Sequence, residues 1–121
     1  MVWTYYQKSG RLEHDGKFSG VGYSGKDAGK NNPLMVTREG IGPIPKGRYK
    51  IGRPFHHRHA GRGTMRLAPQ SGTATWGRSG FMIHGDSDRH PGNASEGCII
   101  VRYDIRQRIW SSGDDELEVK P

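Results

Sequence analysis

The chain has 121 residues, enough for one domain with a modest core and too few for a separate regulatory module. Only 31% of it is apolar while glycine occurs 19 times, a pairing that favours short strands and tight turns over a helical bundle. Lys and Arg outnumber Asp and Glu by 19 to 12, a net charge of +7 that suits solubility as well as nucleic acid, anionic lipid or wall polymer, and one cysteine excludes a disulfide framework or a cysteine-built zinc cluster.

The N-terminus, Met1 to Lys8, lacks the basic start and unbroken apolar run of a signal peptide, and no segment approaches a membrane span. The expectation is a chain made in the cytoplasm without membrane insertion. From Trp3 to Tyr23 the sequence predicts a meander of short strands, punctuated by Ser9-Gly10 and by Asp15-Gly16, a two-residue hairpin signal. Gly22 to Pro33 is loop-like, because Gly, Asn and Pro interrupt a ladder. Gly40 to Gly47 is a turn stiffened by Pro43 and Pro45, ahead of the alternating strand Arg48-Tyr49-Lys50-Ile51.

Residues 53 to 63 hold His56, His57 and His59 among Arg and Gly and are expected as a mobile basic loop. Thr64 to Leu67 returns to strand alternation, and a loop from Pro69 to Arg78 leads into a strand at Phe81. Ile99-Ile100-Val101 suits a buried strand. Asp104, three residues before Gln107, gives a capping-box-like start to the single expected helix, with Ile105 and Ile109 on one face and Gly113 as a stop. Asp114 to Val119 alternates weakly, as a final edge strand would. No internal repeat or composition break divides the chain, so residues 1–121 are expected to form one domain.

The chemistry-bearing stretch is Phe81-Met82-Ile83-His84-Gly85-Asp86, followed after a polar loop by Ser95-Glu96-Gly97-Cys98-Ile99. A thiol needs a base to become a thiolate at neutral pH, and a histidine and the lone cysteine each stand where an apolar run meets a glycine. Taken singly, Cys98 reads as a small buried hydrophobe and His84 as a satisfied core histidine. The polar turn Ser95-Glu96-Gly97 changes that balance, because successive N–H groups in such a turn can face a developing oxyanion. Every histidine precedes Cys98, which excludes a papain-like order, and His84 is better anchored than His90 in the Asp88 to Gly92 loop.

The pattern Ile83-His84-Gly85, a loop, then Ser95-x-Gly97-Cys98-Ile99 resembles the signature of YkuD-type L,D-transpeptidases. More closely, the chain resembles the small L,D-transpeptidase-like effectors of bacterial type VI secretion systems. Trp3-x-Tyr5-x-Gln7, Gly22-Tyr23-Ser24-Gly25, Asn31-Asn32-Pro33, Gly42-Pro43-Ile44-Pro45-x-Gly47-x-Tyr49 and Leu67-x-Pro69 carry that likeness over almost the whole length. It implies a mainly β, single-domain YkuD-like sandwich or barrel with one short helix after the cysteine. Two positions depart from the larger enzymes: Glu96 replaces a histidine beside the Gly-Cys pair, and Ile100 replaces an arginine, with Arg102 the nearest substitute. A carboxylate beside a thiol tends to raise its pKa.

The activity implied is acyl transfer on a peptidoglycan tetrapeptide stem, with water as acceptor for L,D-carboxypeptidase action and a D-amino acid or another stem for exchange or cross-linking. Cys98 would be the nucleophile and His84 the base, with the Gly85 carbonyl holding the imidazole tautomer and the Gly97 and Cys98 amides forming the oxyanion hole. Arg78, Arg89 and Arg102 are candidates for gripping stem carboxylates, Tyr23 for lining the groove, and Ser95 and Asp86 for supporting the site. No cofactor or metal is required. The substrate lies in the periplasm, so the resemblance further implies delivery into a rival bacterium by a type VI tube or spike, with an immunity protein guarding the producer.

Two rivals follow from the same residues. His57-x-His59 with His84, Asp86 or His90 is the raw material of a zinc-dependent wall peptidase, although Arg53, Arg58 and Arg62 would repel the cation. A non-enzymatic basic module for wall polymer or nucleic acid would use Trp3, Tyr5, Trp76 and Trp110 as stacking groups, but these are scattered and no nucleic-acid motif is present.

Overall fold

Ten strands and one helix make up the regular structure of residues 1–121 in this computed structural model. Strands β1 (Trp3–Tyr6), β2 (Arg11–His14) and β3 (Lys17–Val21) form the expected antiparallel meander. Its second turn sets Asp15 and Gly16 at φ 50° and 80°, the left-handed pair that matches the twist of the flanking strands. Strand β4 (Tyr23–Ser24) follows, then two 3-10 turns, Asp27–Gly29 and Pro33–Met35. Asn32 starts the second by accepting the Leu34 amide on its side-chain oxygen at 3.1 Å.

Strand β5 (Gly47–Ile51) leads to β6 (Phe55–His57) and the long β7 (Gly61–Pro69). Residues 53 to 63 are therefore a hairpin and not the mobile loop their composition suggests. His57 Nδ1 accepts the amides of His59 and Ala60, both at 3.0 Å, and the Arg66 guanidinium covers the Phe55 ring at 4.8 Å. These local bonds close a turn that an average over polar residues does not reveal.

Strands β8 (Met82–His84) and β9 (Ile99–Ile100) pair in parallel; helix α1 (Tyr103–Ser111) and β10 (Glu116–Lys120) complete the chain. β10 is an interior strand, parallel to β1 on one side and antiparallel to β5 on the other, where an edge strand was expected. Its alternation, with Leu117 and Val119 buried, shows which face meets the core but carries no information about how many neighbours the backbone has. The sheet order is β3-β2-β1-β10-β5-β7-β8-β9-β4, with β6 attached to β7.

β3 and β4 lie at opposite ends of that order yet are joined through Gly22 alone, so the sheet must curl until its ends meet. Gly22 is the seam: its amide donates to the Gly10 carbonyl at 2.8 Å, and a Cβ there would lie 2.1 Å from the Ile100 carbonyl oxygen. The result is the nearly closed, barrel-like β fold expected, with one helix. Sixteen buried side chains fill it, among them Trp3, Tyr5, Tyr49, Phe81, Ile83, Ile99, Leu117 and Val119. α1 adds Ile105 and Ile109, one turn apart on one face, as their spacing predicts.

The helix start differs from the capping-box expectation. Its N-cap is Arg102, without a side-chain cap, and Asp104 pairs with Arg102 and Arg108 instead. Gly113, at φ 76°, ends it as expected. No helix is long and apolar enough to cross a membrane.

Candidate active site

The site is built on the parallel β8–β9 pair. Ile83 faces Ile99 and His84 faces Ile100, so Cys98, one step before β9, stands opposite Met82. Ile83 and Ile99 point into the core, and strand alternation carries Cys98 and His84 to the other face as diagonal neighbours, with Cα atoms about 7–8 Å apart. The pairing of two strands distant in sequence thus brings together the residues singled out as base and nucleophile.

His84 is buried, with Nδ1 2.8 Å from the Gly85 carbonyl oxygen. A carbonyl only accepts, so Nδ1 holds the proton and Nε2 keeps the lone pair of a base. Burial pulls the imidazole pKa below its usual value; the Gly85 carbonyl opposes this, Arg106 and His57 add to it, and Asp86 opposes it. The Cys98 thiol is half-buried, 3.7 Å from the Gly80 carbonyl oxygen. Burial pushes its pKa up to about 11, against a lowering bond from the Met82 backbone, with Glu96 raising and Arg78 lowering it further. Both shifts favour the uncharged forms. Desolvation thus favours a thiol and a neutral imidazole over a thiolate–imidazolium pair.

Glu96 is well exposed and reaches Lys26, with Nζ 3.8 Å from its Oε1. Its carboxylate points away into solvent and is partly offset by that cation, which is why desolvation and not Glu96 leads the rise of the thiol pKa.

The turn before the cysteine is shaped by Ser95, which is fully buried. Its Oγ accepts the amides of Gly25 at 2.9 Å and Gly97 at 3.1 Å and donates to the Cys98 carbonyl at 2.6 Å. Ser95 positions the turn and has no polar capacity left for substrate. The expectation for Gly97 is corrected: its N–H is committed to Ser95 Oγ, so it does not face an oxyanion. The Cys98 amide has no acceptor in the protein and remains available for that purpose. Gly97 is required for a different reason: its φ is 127°, and a Cβ there would lie 2.3 Å from Arg78 NH2.

Arg78 is also reassigned. Its buried guanidinium donates to the carbonyls of Val36 at 2.6 Å, Pro43 at 2.8 Å and Gly42 at 2.9 Å, tying the proline-stiffened turn to the cysteine turn. With its donors spent on backbone oxygens, it is a clamp and not a carboxylate receptor. Arg102 is exposed and forked onto Asp104, both contacts at 3.2 Å, beside a groove of about 230 Å³ that also includes Tyr23 and Asp86. Arg89 is exposed on the loop after Asp86.

Tyr23 and Asp86 act on each other. The phenol donates to Asp86 Oδ1 at 2.6 Å and accepts the Ala94 amide at 2.9 Å, while Asp86 accepts the Ser87 and Gly92 amides at 2.8 Å and 3.0 Å. Together they fasten the loop between the His84 and Cys98 motifs to β4. Burial and the carboxylate push the Tyr23 pKa up to about 12. Slight burial would raise the Asp86 pKa, but the Tyr23, Gly92 and Ser87 bonds and Lys30 hold it low.

The donors of the zinc alternative do not converge. His57 Nδ1 is occupied by two amides, and the set of His, Asp and Glu atoms that do approach within 4.8 Å of one another is His14, Asp15 and Asp114, elsewhere on the surface. Of the four aromatics proposed as a stacking platform, Trp3 and Tyr5 are core residues and only Trp76 and Trp110 are exposed. A concavity of about 550 Å³, lined by Met1 and Val2, by β5 and β10 and by the turn after β7, contains none of the candidate site residues. Sequence reasoning missed Arg106, whose NH2 reaches Gly85 beside His84, and considered His57 only as a metal ligand, whereas both lower the His84 pKa. Their signal is hidden, since Arg106 sits between two core isoleucines on a helix and His57 in a polar run.

The arrangement of a closed β sheet, a single following helix and a cysteine entering a strand beside a histidine defines an L,D-transpeptidase-like protein. A crystal structure titled as an Enterococcus faecium L,D-transpeptidase C442S mutant is similar to this chain with a TM-score of 0.59 at 14% identity, covering 98% of this chain and 48% of that one. The chain thus spans about half the length of that structure, and the likeness concerns the fold. Residues 19–119 match the Tlde1 domain, and the chain belongs to that L,D-transpeptidase-like family of type VI effectors. No curated protein sequence matches it.

Proposed function

We propose that this protein is a cysteine-dependent L,D-acyl transferase that removes or exchanges the terminal D-alanine of peptidoglycan tetrapeptide stems. The observation that carries the reading is the β8–β9 register, which sets Cys98 and His84 on one face, diagonally across the strand pair, with His84 Nε2 left basic by the Nδ1 bond to Gly85. Cys98 Sγ attacks the carbonyl of the L,D bond, and His84 Nε2 takes the thiol proton as the C–S bond forms. The carbonyl oxygen, now negative, is stabilised by the Cys98 amide. Collapse breaks the C–N bond, His84 returns the proton to the departing amine, and a thioester remains. Water or a D-amino acid then attacks the thioester, with His84 as base, and releases the thiol.

Because thiol and imidazole both start neutral, proton transfer accompanies attack. Membership of an effector family favours hydrolysis or exchange, which deprives a growing wall of donor stems. We further propose that a type VI tube or spike delivers the chain into the periplasm of a target cell and that an immunity protein protects the producer. The test is incubation with a tetrapeptide muropeptide, read by mass. Wild type should lose D-alanine or exchange it for an added D-amino acid, while Cys98→Ala and His84→Ala should do neither. Unchanged muropeptide with folded wild type refutes the proposal.

A further inference from the structure

The molecule contains two buried arginines, and it treats them differently. Arg78 is satisfied by backbone carbonyls on three sides. Arg106, only 7% exposed, has one hydrogen bond, from NH1 to the Arg62 carbonyl at 3.1 Å, and its Nε is buried without any partner. Burying a guanidinium without acceptors is costly, and the chain shows at Arg78 that it can supply them. No carboxylate approaches Arg106. Its charge neighbours are Tyr103 and a second arginine, Arg62, whose guanidinium lies 4.1 Å from the Tyr103 ring centroid while that of Arg106 lies 5.2 Å from it. Asp104, on the same helix, is taken by Arg102 and Arg108.

The place is also open and close to the chemistry. Arg106 lines a groove of about 260 Å³ between α1 and the β6–β7 hairpin, with Pro54, Gly63, Tyr103, Gln107 and Trp110. Its NH2 reaches in beside the histidine motif: a Cβ on Gly85 would lie 2.9 Å from it. Gly63, at φ 68°, similarly leaves room for the Tyr103 ring, which a Cβ would meet at 2.9 Å. Along the ladder, Gly85 is three residues beyond the point opposite Cys98, which puts the two Cα atoms about 11 Å apart for a strand rise of about 3.3 Å per residue and a strand spacing of about 4.8 Å. That is the reach of an extended peptide of about three residues.

We propose that Arg106, assisted by Arg62, forms an anion subsite that binds a free carboxylate of the substrate stem on the acyl side of the bond that Cys98 attacks. It rests on the peptidoglycan reading for the identity of the anion. A planar guanidinium with an unused donor matches a carboxylate, and the bound anion supplies an acceptor to NH2, which makes no hydrogen bond and, unlike Nε, is not sealed from the groove. The subsite stands apart from the exposed Arg89 and Arg102 and from the clamp Arg78.

The test uses the full chain as Cys98→Ala, so that binding is read without turnover. It is titrated with a tetrapeptide stem and with the same stem amidated at its upstream carboxylates, following the arginine Nε–H signals by NMR. The Arg106 signal is assigned by its loss in Arg106→Lys. The acid should bind about 10-fold more tightly than the amide and move the Arg106 signal, as expected for a charge-assisted pair. Arg62→Gln, at an exposed position that leaves the fold intact, should erase much of that preference. Equal binding of the two peptides, or an Arg106 signal unmoved by the bound acid, overturns the subsite. Failure of the catalytic reading appears separately, as a wild-type chain that binds the acid preferentially at Arg106 yet leaves it uncleaved.

Discussion

The neutral thiol–imidazole pair predicts how Cys98 responds to pH. A free cysteine with a pKa of about 8.5 is about 9% thiolate at pH 7.5. With its pKa pushed up to about 11, Cys98 would be ionised to roughly 0.03% at that pH, about 300-fold less. The more basic thiolate is intrinsically more nucleophilic, which returns a factor of about 10 for a Brønsted coefficient near 0.4–0.5. Exchange with a small neutral aryl disulfide should therefore be about 30-fold slower in the folded protein than in the urea-unfolded chain at pH 7.5. The rate should climb about tenfold per pH unit up to about pH 10, without an inflection near 8.5, and level off only near pH 11, and His84→Gln should leave it unaltered, since no imidazolium is holding a thiolate. The sign for stability follows: the fold favours the protonated thiol, so that contribution is complete below about pH 8.5 and is lost as pH rises towards about 11. An inflection below pH 8.5, or faster exchange in the folded protein, would refute the neutral pair and require an ion pair instead.

Two further outcomes test the frame around the site. Gly22→Ala would place a methyl 2.1 Å from the Ile100 carbonyl oxygen and 2.5 Å from Val101 Cγ1, and backbone at a barrel seam cannot yield cheaply. It should cost about 3 kcal/mol or more and lower the calorimetric Tm by about 10 °C; a shift within about 2 °C would show that the seam is not closed as described. Tyr23→Phe removes the phenol that joins Asp86 to the Ala94 amide. Hydrogen exchange at Ala94 should accelerate and the Asp86 pKa should rise, at a cost of about 1 kcal/mol, while unchanged exchange at Ala94 would deny Tyr23 its role in holding the loop.

Strands were legible wherever local chemistry decides them. Asp15-Gly16 needs two left-handed residues and supplies them, and Ile105 with Ile109 marks a helix face without reference to the rest of the chain. Where a bond forms with a distant partner, the sequence was mute. Ser95 could be seen as a polar turn residue, but not that its hydroxyl consumes the Gly97 amide. Three arginines near the motif looked equivalent, yet Arg78 is spent on carbonyls, Arg102 on a neighbouring aspartate, and Arg89 stands in solvent.

By itself the sequence determined a glycine-rich, β-dominated chain with one helix, and the His84 and Cys98 motifs on which the site reading rests. Their type and flanking residues are properties of the chain, as are the hydrophobic alternation and turn signals that set the strands. Tertiary structure alone decided that β8 and β9 run in parallel and bring the two motifs to one face. It also decided that β10 lies inside the sheet and that Glu96 turns to Lys26. Burial of the thiol, the imidazole and Arg106 belongs to the same level, because desolvation depends on everything packed around a group and not on the residue itself.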